Sequence, residues 1–247
     1  MKAVVLAGGL GTRLQPIIGE IPKSMLEFNG RPLLEYSLNA LKERDVKEYL
    51  IVVNFKREMI QQHFGDGSKF GVNIEYVVQE NPKGGTANAV SYAAGEIPDR
   101  KFFVIYGDNA FDPLILDEIL SKADNYDGVL CGKQMQDMSQ YGALKIEHDL
   151  IKGIAEKSPQ PPSNLAFTGL MILPSKIFSA IRRTPISPRG ERELTTSIEL
   201  LAEEGLRFGY VTTERFWLDP KNEEDLEVVK EFYGESNNDK NKKVNNI

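Results

Sequence analysis

Short β-branched and aromatic runs alternate with helically periodic runs through the first half of this 247-residue chain. The strand-like runs lie at residues 2–7, 49–53, 74–78 and 102–106. Apolar residues at helical spacing occupy the segments between them, at residues 32–44, 57–64 and 86–94. This alternation predicts an α/β fold in which a mostly parallel sheet is flanked by helices on both faces. Ligands of such sheets bind outside the carboxyl ends of the strands, so the residues after each strand are the first candidates for a site.

The second half of the chain is less regular. Strand-like runs lie at residues 128–133, 143–146 and 166–173, and helix-like runs at 175–182 and 194–204. The segment 158–164 contains three prolines, which predicts an ordered loop without a helix. We find no linker and no internal repeat, which predicts a single domain over residues 1–233. Residues 234–247 are rich in Asn and Lys and poor in apolar residues, which predicts a disordered tail.

Composition limits the class of protein. Apolar residues make up 41% of the chain and charged residues 27%, as in ordinary globular proteins. The net charge of −6 argues against nucleic acid or an anionic membrane as the main partner. The N-terminus enters a strand directly and no apolar run approaches roughly 18 residues, so we expect neither a secretion signal nor a membrane span. The one cysteine, Cys131, lies in an apolar run and is expected to be a buried small hydrophobe. These features predict a cytoplasmic protein.

The first strand-like run ends in a loop with three glycines within four residues, at Gly8, Gly9 and Gly11. Without side chains, the backbone there can approach a polyanion closely and direct its N–H groups toward it. Arg13 and Lys23 add two positive charges. The common phosphate motifs fit poorly, because GxxxxGK[ST] does not occur and Leu14 replaces the third glycine of GxGxxG. The second strand ends at Asn54 rather than at an acidic residue. The loop therefore predicts a phosphate site of another kind.

The string GGxGTRLxP, followed by PKxM, resembles the signature of the sugar-1-phosphate nucleotidyltransferases. Members of that family join a nucleoside triphosphate to a sugar 1-phosphate and release pyrophosphate, on a Rossmann-like sheet of the nucleotide-diphospho-sugar transferase type. The resemblance implies that Arg13 and Lys23 are catalytic and stabilise the reacting phosphates. It also implies that the triphosphate is wrapped by the end of the first strand and the glycine loop, at Leu6, Gly8, Gly9, Gly11 and Thr12.

Two aspartates resemble the metal ligands of that family. Asp108 follows the strand-like run 102–106 in a Gly-Asp-Asn sequence, and Asp219 ends a late Trp-Leu-Asp sequence. The resemblance implies that both hold Mg²⁺, which binds triphosphates through one or two carboxylates and phosphate oxygens. The family usually continues with Gly-Thr after the second aspartate, whereas this chain continues with Pro220, Lys221 and Asn222.

The segment 77–89 resembles the part of the family that reads the base. Gln79 ends a strand-like run, and an amide can donate and accept at once, as the imide edge of uracil or thymine requires. Its other reading is an amide that caps the strand end. The glycine-rich turn after it implies further nucleotide contacts at Gly84, Gly85 and Thr86.

Further stretches resemble the sugar-phosphate half of the family site. They imply contacts to the sugar 1-phosphate from Tyr141, Gly142, Glu156, Lys157, Thr168 and Arg189. Glu156 would accept hydrogen bonds from sugar hydroxyls, while Lys157 and Arg189 would oppose the phosphate charge. A buried Glu156–Lys157 pair would otherwise be a structural salt bridge, and Arg192 could equally be a solvated charge.

The combined motifs look most like the glucose-1-phosphate thymidylyltransferases, although the Gly-Gly-Thr-Ala-Asn-Ala turn is closer to uridylyltransferases. The expected substrates are therefore dTTP or UTP and a sugar 1-phosphate, with glucose 1-phosphate as the first choice. The alternatives are a uridylyltransferase acting on N-acetylglucosamine 1-phosphate, a mannose-1-phosphate guanylyltransferase, and a non-catalytic relative that binds nucleotide sugars. The survival of Arg13, Lys23 and both aspartates favours an enzyme. The chain could also form a homo-oligomer.

Overall fold

The computed structural model describes residues 1–97 and 100–244, with side chains up to residue 234. Its strands are β1 (Lys2–Ala7), β2 (Glu27–Phe28), β3 (Arg31–Pro32), β4 (Glu48–Val53), β5 (Asn73–Val78), β6 (Lys101–Tyr106), β7 (Ala110–Phe111), β8 (Gly128–Gln134), β9 (Gly142–Glu147), β10 (Leu150–Glu156), β11 (Leu165–Pro174), β12 (Phe208–Thr213) and β13 (Trp217–Leu218). Its helices are α1 (Gln15–Ile18), α2 (Leu33–Lys42), α3 (Arg57–Phe64), α4 (Thr86–Ser91), α5 (Ile115–Leu120), α6 (Ile177–Arg183), α7 (Leu194–Glu203) and α8 (Glu223–Val244). Short 3₁₀ turns lie at Lys23–Met25 and Ser68–Phe70.

The central sheet is mixed, so the expectation of a mostly parallel sheet is wrong for its second half. The strand order is β5-β4-β1-β6-β11-β8-β12-β10-β9. The four strands of the first half are parallel, as the predicted alternation requires. Strand β11 runs antiparallel to both β6 and β8, while β12 is parallel to β8. Neighbouring parallel strands need a long crossover connection between them, usually a helix. In the second half, β9 instead passes directly into β10, so these two strands must be antiparallel.

The turn between β9 and β10 explains why the sequence did not indicate β10. Its two residues, His148 and Asp149, have φ of 50° and 60°. Two-residue hairpin turns with this backbone usually carry Asn-Gly or Asp-Gly. Here the sequence lacks that signal, and the structure alone identifies the hairpin.

Helices cover both faces of the sheet, as expected. Val5 on β1 packs with buried residues of α2, α3 and α5 on one face. Its neighbour Val4 packs with α4, α6 and α7 on the other. Successive side chains of a strand point to opposite faces, so a strand covered on both sides is a continuous apolar run rather than an alternating one. Cys131 on β8 is fully buried in this core, and burial raises the pKa of its thiol to about 12.

The C-terminal part of the fold packs on a small second sheet, apart from the central one. Strands β7 and β13 form a two-stranded ribbon that packs against α8 through a cluster containing Phe28, Val229 and Tyr233. The segment 158–164 is a loop without a helix, as predicted. The backbone from residue 234 to 244 belongs to α8, and residues 245–247 lie outside the described part of the chain. The disorder predicted for the tail stays a prediction. Within the described residues, no helix is long and apolar enough to cross a membrane.

Candidate active site

The carboxyl ends of β1, β5 and β6 open onto three adjoining cavities. Cavity A, of about 250 Å³, is lined by Leu6, Ala7, Gly8, Gly9, Lys23, Ser24, Gln79, Pro82, Gly85, Thr86, Ala89, Tyr106, Asp108 and Glu191. Cavity B, of about 230 Å³, is lined by Thr86, Tyr106, Asp108, Asn109, Gln140, Tyr141, Gly142, Glu156, Lys157, Phe167, Thr168, Arg189, Glu191, Glu193, Trp217 and Asp219. Cavity C, of about 190 Å³, is lined by Gly11, Thr12, Arg13, Leu14, Lys23, Asp108, Asp219, Pro220 and Lys221. Asp108 lines all three, so they meet at its carboxylate.

The glycine loop after β1 divides its residues between two of these cavities. Gly8 and Gly9 line cavity A, while Gly11, Thr12 and Arg13 line cavity C. Gly11 has φ of 59°, a left-handed conformation that glycine adopts without strain. The loop therefore turns from one cavity into the next, which suits a ligand whose phosphates extend from A to C.

Lys23 is held between two carboxylates from distant parts of the chain. Its Nζ atom lies 3.1 Å from Asp108 Oδ2 and donates a second, short hydrogen bond to Asp219 Oδ1. The side chain is almost fully buried, whereas the two carboxylates are 39% and 30% exposed. Burial alone would lower the pKa of the Lys23 ammonium, but the charges of Asp108 and Asp219 outweigh it and raise the pKa above its usual value. Lys23 is therefore a fixed cation where the cavities meet.

Asp219 has a second cationic neighbour. Its other carboxylate oxygen, Oδ2, lies 3.5 Å from Nζ of Lys221, which in turn lies 3.6 Å from the centroid of the Tyr141 ring. Burial lowers the pKa of the Lys221 ammonium; Asp219 raises it, and the cations Arg13 and Lys23 lower it further. In cavity C, the Asp219 carboxylate thus has two cationic neighbours, Lys23 and Lys221.

The donor chemistry at Asp108 and Asp219 fits a magnesium ion. Both offer carboxylate oxygens, the ligands that Mg²⁺ prefers, at the point where the three cavities join. Among the described residues there is no group of three or more His, Cys, Asp or Glu side chains that could hold a metal ion. The protein thus supplies two carboxylates there, and a bound polyphosphate would have to supply the remaining oxygens.

Gln79 lines cavity A and is 4% exposed. Its Nε2 donates to the Asn81 carbonyl at 2.9 Å and to Asn88 Oδ1 at 3.1 Å. A backbone carbonyl can only accept, so these contacts orient the amide and occupy its donor hydrogens. The sequence predicted that Gln79 would offer a base both a donor and an acceptor. In this arrangement the donor, Nε2, is already engaged, and only the acceptor, Oε1, is left for a base.

The Gly84–Gly85 turn is joined to the loop that carries Arg189. The Arg192 N–H donates to the Gly84 carbonyl at 2.8 Å, and the Ala87 N–H donates to the Arg192 carbonyl at 2.9 Å. Gly85 has φ of 88°, and a Cβ there would lie 2.5 Å from the Arg192 carbonyl oxygen. Only glycine tolerates this approach. Gly85 lines cavity A, whereas Gly84 lines none of the three cavities and instead makes this connection.

Cavity B collects all six residues expected at the sugar phosphate. Arg189 forms a bidentate pair with Glu193, at 3.1 and 2.6 Å, and lies 3.7 Å from Glu156. Burial raises the pKa of the Glu156 carboxyl, and the charge of Glu193 raises it further. The alternative reading, a structural Glu156–Lys157 salt bridge, is not among the ion pairs of the described residues; Lys157 is exposed, with φ of 45°.

Several lining residues were not expected from the sequence. Tyr106, at the end of β6, lines both A and B, and burial raises the pKa of its hydroxyl. Glu191 also lines both, and Glu193 is the buried partner of Arg189. The signals available were the position of Tyr106 just before Gly107-Asp108 and the second glutamate of the Arg-Gly-Glu-Arg-Glu string. For Lys221, the signal in the sequence was that the chain lacks the Gly-Thr that usually follows the second aspartate in the family.

Comparison with known proteins identifies the family of the chain. The family described as Nucleotidyl transferase matches residues 2–236. The chain belongs to this family. The predicted resemblance is thereby confirmed, and the fold is the α/β type of the nucleotide-diphospho-sugar transferases with a mixed sheet.

Two relatives of this nucleotidyl transferase come from Haloferax volcanii. The low-salt glycan biosynthesis nucleotidyltransferase Agl11 is 34% identical over 229 residues, covering 92% of this chain and 64% of Agl11. The UTP--glucose-1-phosphate uridylyltransferase AglF is 32% identical over 235 residues, covering 94% of this chain and 96% of AglF. The chain thus spans less than two thirds of one relative and nearly all of the other.

Two solved structures of similar fold superpose on this chain. A putative glucose-1-phosphate thymidylyltransferase from Bacillus anthracis, crystallised with a sucrose, superposes with a TM-score of 0.83 at 28% identity, covering 94% of both chains. A UDP-glucose pyrophosphorylase in complex with UDP-glucose superposes with a TM-score of 0.82 at 22% identity, which supports the fold alone.

Proposed function

We propose that this chain transfers a nucleotidyl group from dTTP or UTP to a sugar 1-phosphate, with glucose 1-phosphate as the first choice, and releases pyrophosphate. The observation that carries the proposal is the meeting of three cavities at Asp108, with a cation or a carboxylate on each wall. The reaction needs adjoining sites for a nucleoside, a sugar phosphate and the departing pyrophosphate, which cavities A, B and C would supply.

The proposed reaction is one in-line displacement. An oxygen of the sugar phosphate, bound in cavity B, attacks the α-phosphorus of the nucleotide, whose nucleoside lies in cavity A. The bond from that phosphorus to the bridging oxygen breaks, and pyrophosphate leaves into cavity C. No covalent intermediate with the protein forms, so the side chains act by positioning the reactants and stabilising charge.

The approach of two anions is the main electrostatic barrier. Unit charges about 4 Å apart repel by roughly 4 kcal/mol at an effective dielectric constant near 20. Lys23 lies where cavities A and C join and neutralises charge on the reacting phosphate. Arg13 lies in cavity C with the leaving pyrophosphate, while Arg189 and Lys157 lie in cavity B with the sugar phosphate. A phosphate in B would have to share Arg189 with Glu193.

Asp108 and Asp219 are the residues that would hold Mg²⁺. When bound there, Mg²⁺ would neutralise charge on the reacting phosphates. Lys23 donates to both carboxylates, so its own positive charge is held beside the place where the phosphates would react.

One assay tests the proposal. Pyrophosphate release is measured for ATP, GTP, CTP, UTP and dTTP, each paired with glucose 1-phosphate, N-acetylglucosamine 1-phosphate and mannose 1-phosphate. We expect turnover with UTP or dTTP and glucose 1-phosphate in the presence of Mg²⁺, and none in the presence of EDTA. No turnover with any pair would favour the non-catalytic relative. Turnover confined to GTP would contradict the proposed base preference.

The remaining assignments are part of the same proposal. The substrates are small molecules, and the cellular location is cytoplasmic. A homo-oligomer is compatible with the exposed apolar side chains Ile17, Ile186 and Val228, which are 47%, 66% and 45% exposed. Light scattering of the purified chain would give its mass in solution.

A further inference from the structure

Lys221 follows Asp219 in the segment between β13 and α8, and its backbone is anchored. Its N–H donates to Asp225 Oδ2 at 2.6 Å, and the Asp225 N–H donates to Asn222 Oδ1 at 2.8 Å. These two bonds tie the segment to the first turn of α8. The base of the Lys221 side chain therefore has a set position beside the metal-ligand candidate Asp219.

The Lys221 ammonium makes no close hydrogen bond in the described part of the chain. Its Nζ atom is shielded from solvent and makes no hydrogen bond there, although Asp219 Oδ2 lies 3.5 Å away. The ion pair with Asp219 and the contact with the Tyr141 ring offset only part of the cost of removing the ammonium N–H groups from water, because none of them has a close hydrogen-bond acceptor. The ammonium itself lies over the Tyr141 ring, with Nζ 3.6 Å from the ring centroid, and rotation about the last bonds of the side chain can turn it away without moving the backbone.

Lys221 lies in the wall of cavity C, where its ammonium can meet a bound anion. Lys221 lines it together with Gly11, Thr12 and Arg13 of the glycine loop. Its charged lining consists of the cations Arg13, Lys23 and Lys221 and the carboxylates Asp108 and Asp219. If the carboxylates bind a cation, the three basic side chains are left to face any anion in the cavity. Cavity B has cations of its own, Lys157 and Arg189, and Lys221 does not line it.

We propose that Lys221 is a further binding residue for the pyrophosphate part of the nucleotide, and for inorganic pyrophosphate itself, through its ammonium group in cavity C. The inference rests on the proposed function and extends it to a residue where this chain departs from the family sequence pattern. Lys221 adds a third basic side chain to Arg13 and Lys23 on the leaving-group side.

Calorimetric titration with inorganic pyrophosphate and Mg²⁺ tests the inference in the full chain. Lys221→Met keeps an unbranched side chain of similar length and removes the charge, and we expect the Kd for pyrophosphate to rise about tenfold. Lys221→Arg should restore most of the affinity. Lys47→Met removes an exposed lysine, 51% exposed and paired with Asp45, and should leave the affinity unchanged. Lys221→Gln replaces Lys221→Met if that variant does not fold.

Steady-state kinetics separate the two phosphate sites. In Lys221→Met we expect KM for the nucleoside triphosphate to rise while KM for the sugar 1-phosphate stays the same. Unchanged pyrophosphate affinity, or a rise in KM confined to the sugar 1-phosphate, would overturn the inference. The proposed function fails separately, if the wild-type chain releases no pyrophosphate from any substrate pair.

Discussion

The Lys23 ammonium and its two carboxylates come together from positions far apart in the chain. Lys23 lies in a 3₁₀ turn after the glycine loop, Asp108 follows β6, and Asp219 follows β13. Each motif is short and local, so each could be identified in the sequence. Their contact, with Lys23 donating to both carboxylates, is a property of the folded chain.

Removing either charge at this point should abolish turnover. Lys23→Ala removes the fixed cation and Asp108→Asn removes a metal-ligand candidate, so we expect kcat to fall by roughly a hundredfold or more in each. The exposed pair Lys47 and Asp45 supplies matched controls, Lys47→Ala and Asp45→Asn, which should keep wild-type rates. Circular dichroism would verify folding. Wild-type kcat in a folded Lys23→Ala or Asp108→Asn variant would contradict the assigned role.

Base preference should depend on Gln79. With its Nε2 engaged by Asn81 and Asn88, the Oε1 atom can accept the imide N–H of uracil or thymine. Adenine presents an acceptor, N1, to Oε1 and would leave it unmet at roughly 1–3 kcal/mol, and either purine must also fit its second ring beside Gly85, so kcat/KM should favour UTP and dTTP over ATP and GTP at least tenfold. Gln79→Leu should reduce this ratio, while Gln62→Leu, at an exposed position of α3, should not. Equal use of purine and pyrimidine triphosphates by the wild type would refute the assignment.

Glu156 should make the stability of the protein depend on pH. Burial and the charge of Glu193 raise the pKa of its carboxyl above 4.5 in the folded state, so the folded protein binds this proton more tightly than the unfolded chain. The resulting stability is present below pH 4.5 and is lost as the pH rises through the folded pKa. Glu156→Gln stays neutral, so its thermal midpoint should exceed that of the wild type at pH 7. The difference should shrink toward pH 4.5, and a difference that stays constant with pH would contradict burial of the charged carboxylate as its cause.

At the scale of elements, α8 supports the ribbon that carries Asp219. Tyr233 stacks on Tyr36 with ring centroids 3.7 Å apart, and its hydroxyl accepts a hydrogen bond from the Phe111 N–H at 3.3 Å. Phe111 lies on β7, which pairs with β13 just before Asp219. The helix thus holds one metal-ligand candidate in place through a strand that lines none of the three cavities.

Tyr233→Ala should therefore weaken both the fold and the site. Tyr233 is 4% exposed, and removing a buried aromatic side chain typically costs about 3–5 kcal/mol of unfolding free energy. Val228→Ala, on the same helix at an exposed position, should cost far less. Urea unfolding of both variants gives the comparison, and equal losses would show that α8 does not pack as described.

At the scale of the whole molecule, the sheet is continuous from β5 to β9 and joins both halves of the chain. Strand β11 of the second half pairs with β6 of the first over five residue pairs, Leu170 to Pro174. The pairing runs through the core rather than across a linker. It supports, but does not test, the prediction of a single domain over residues 1–233.

Limited proteolysis tests that prediction. We expect the first cuts to fall beyond Gly234 and the remainder to unfold in one calorimetric transition, because β6 and β11 bind the two halves together. Early cleavage into two stable halves near residue 140 would instead indicate separate domains.

The sequence alone determined the α/β character of the chain, the first four parallel strands, and the residue types at the site, because periodicity and short motifs depend on near neighbours. Family membership followed from the same local strings. The tertiary structure decided the direction of β11, the hairpin of β9 and β10, and the contacts of Lys221, Tyr106 and Glu193 with the cavities. Strand partners and cavity walls arise from residues far apart in the chain, and their pairing is set by how whole elements pack. Local sequence patterns do not contain that packing information. In the sequence, Lys221 was only a departure from the family pattern after Asp219; the tertiary structure shows that its ammonium lies beside the Asp219 carboxylate.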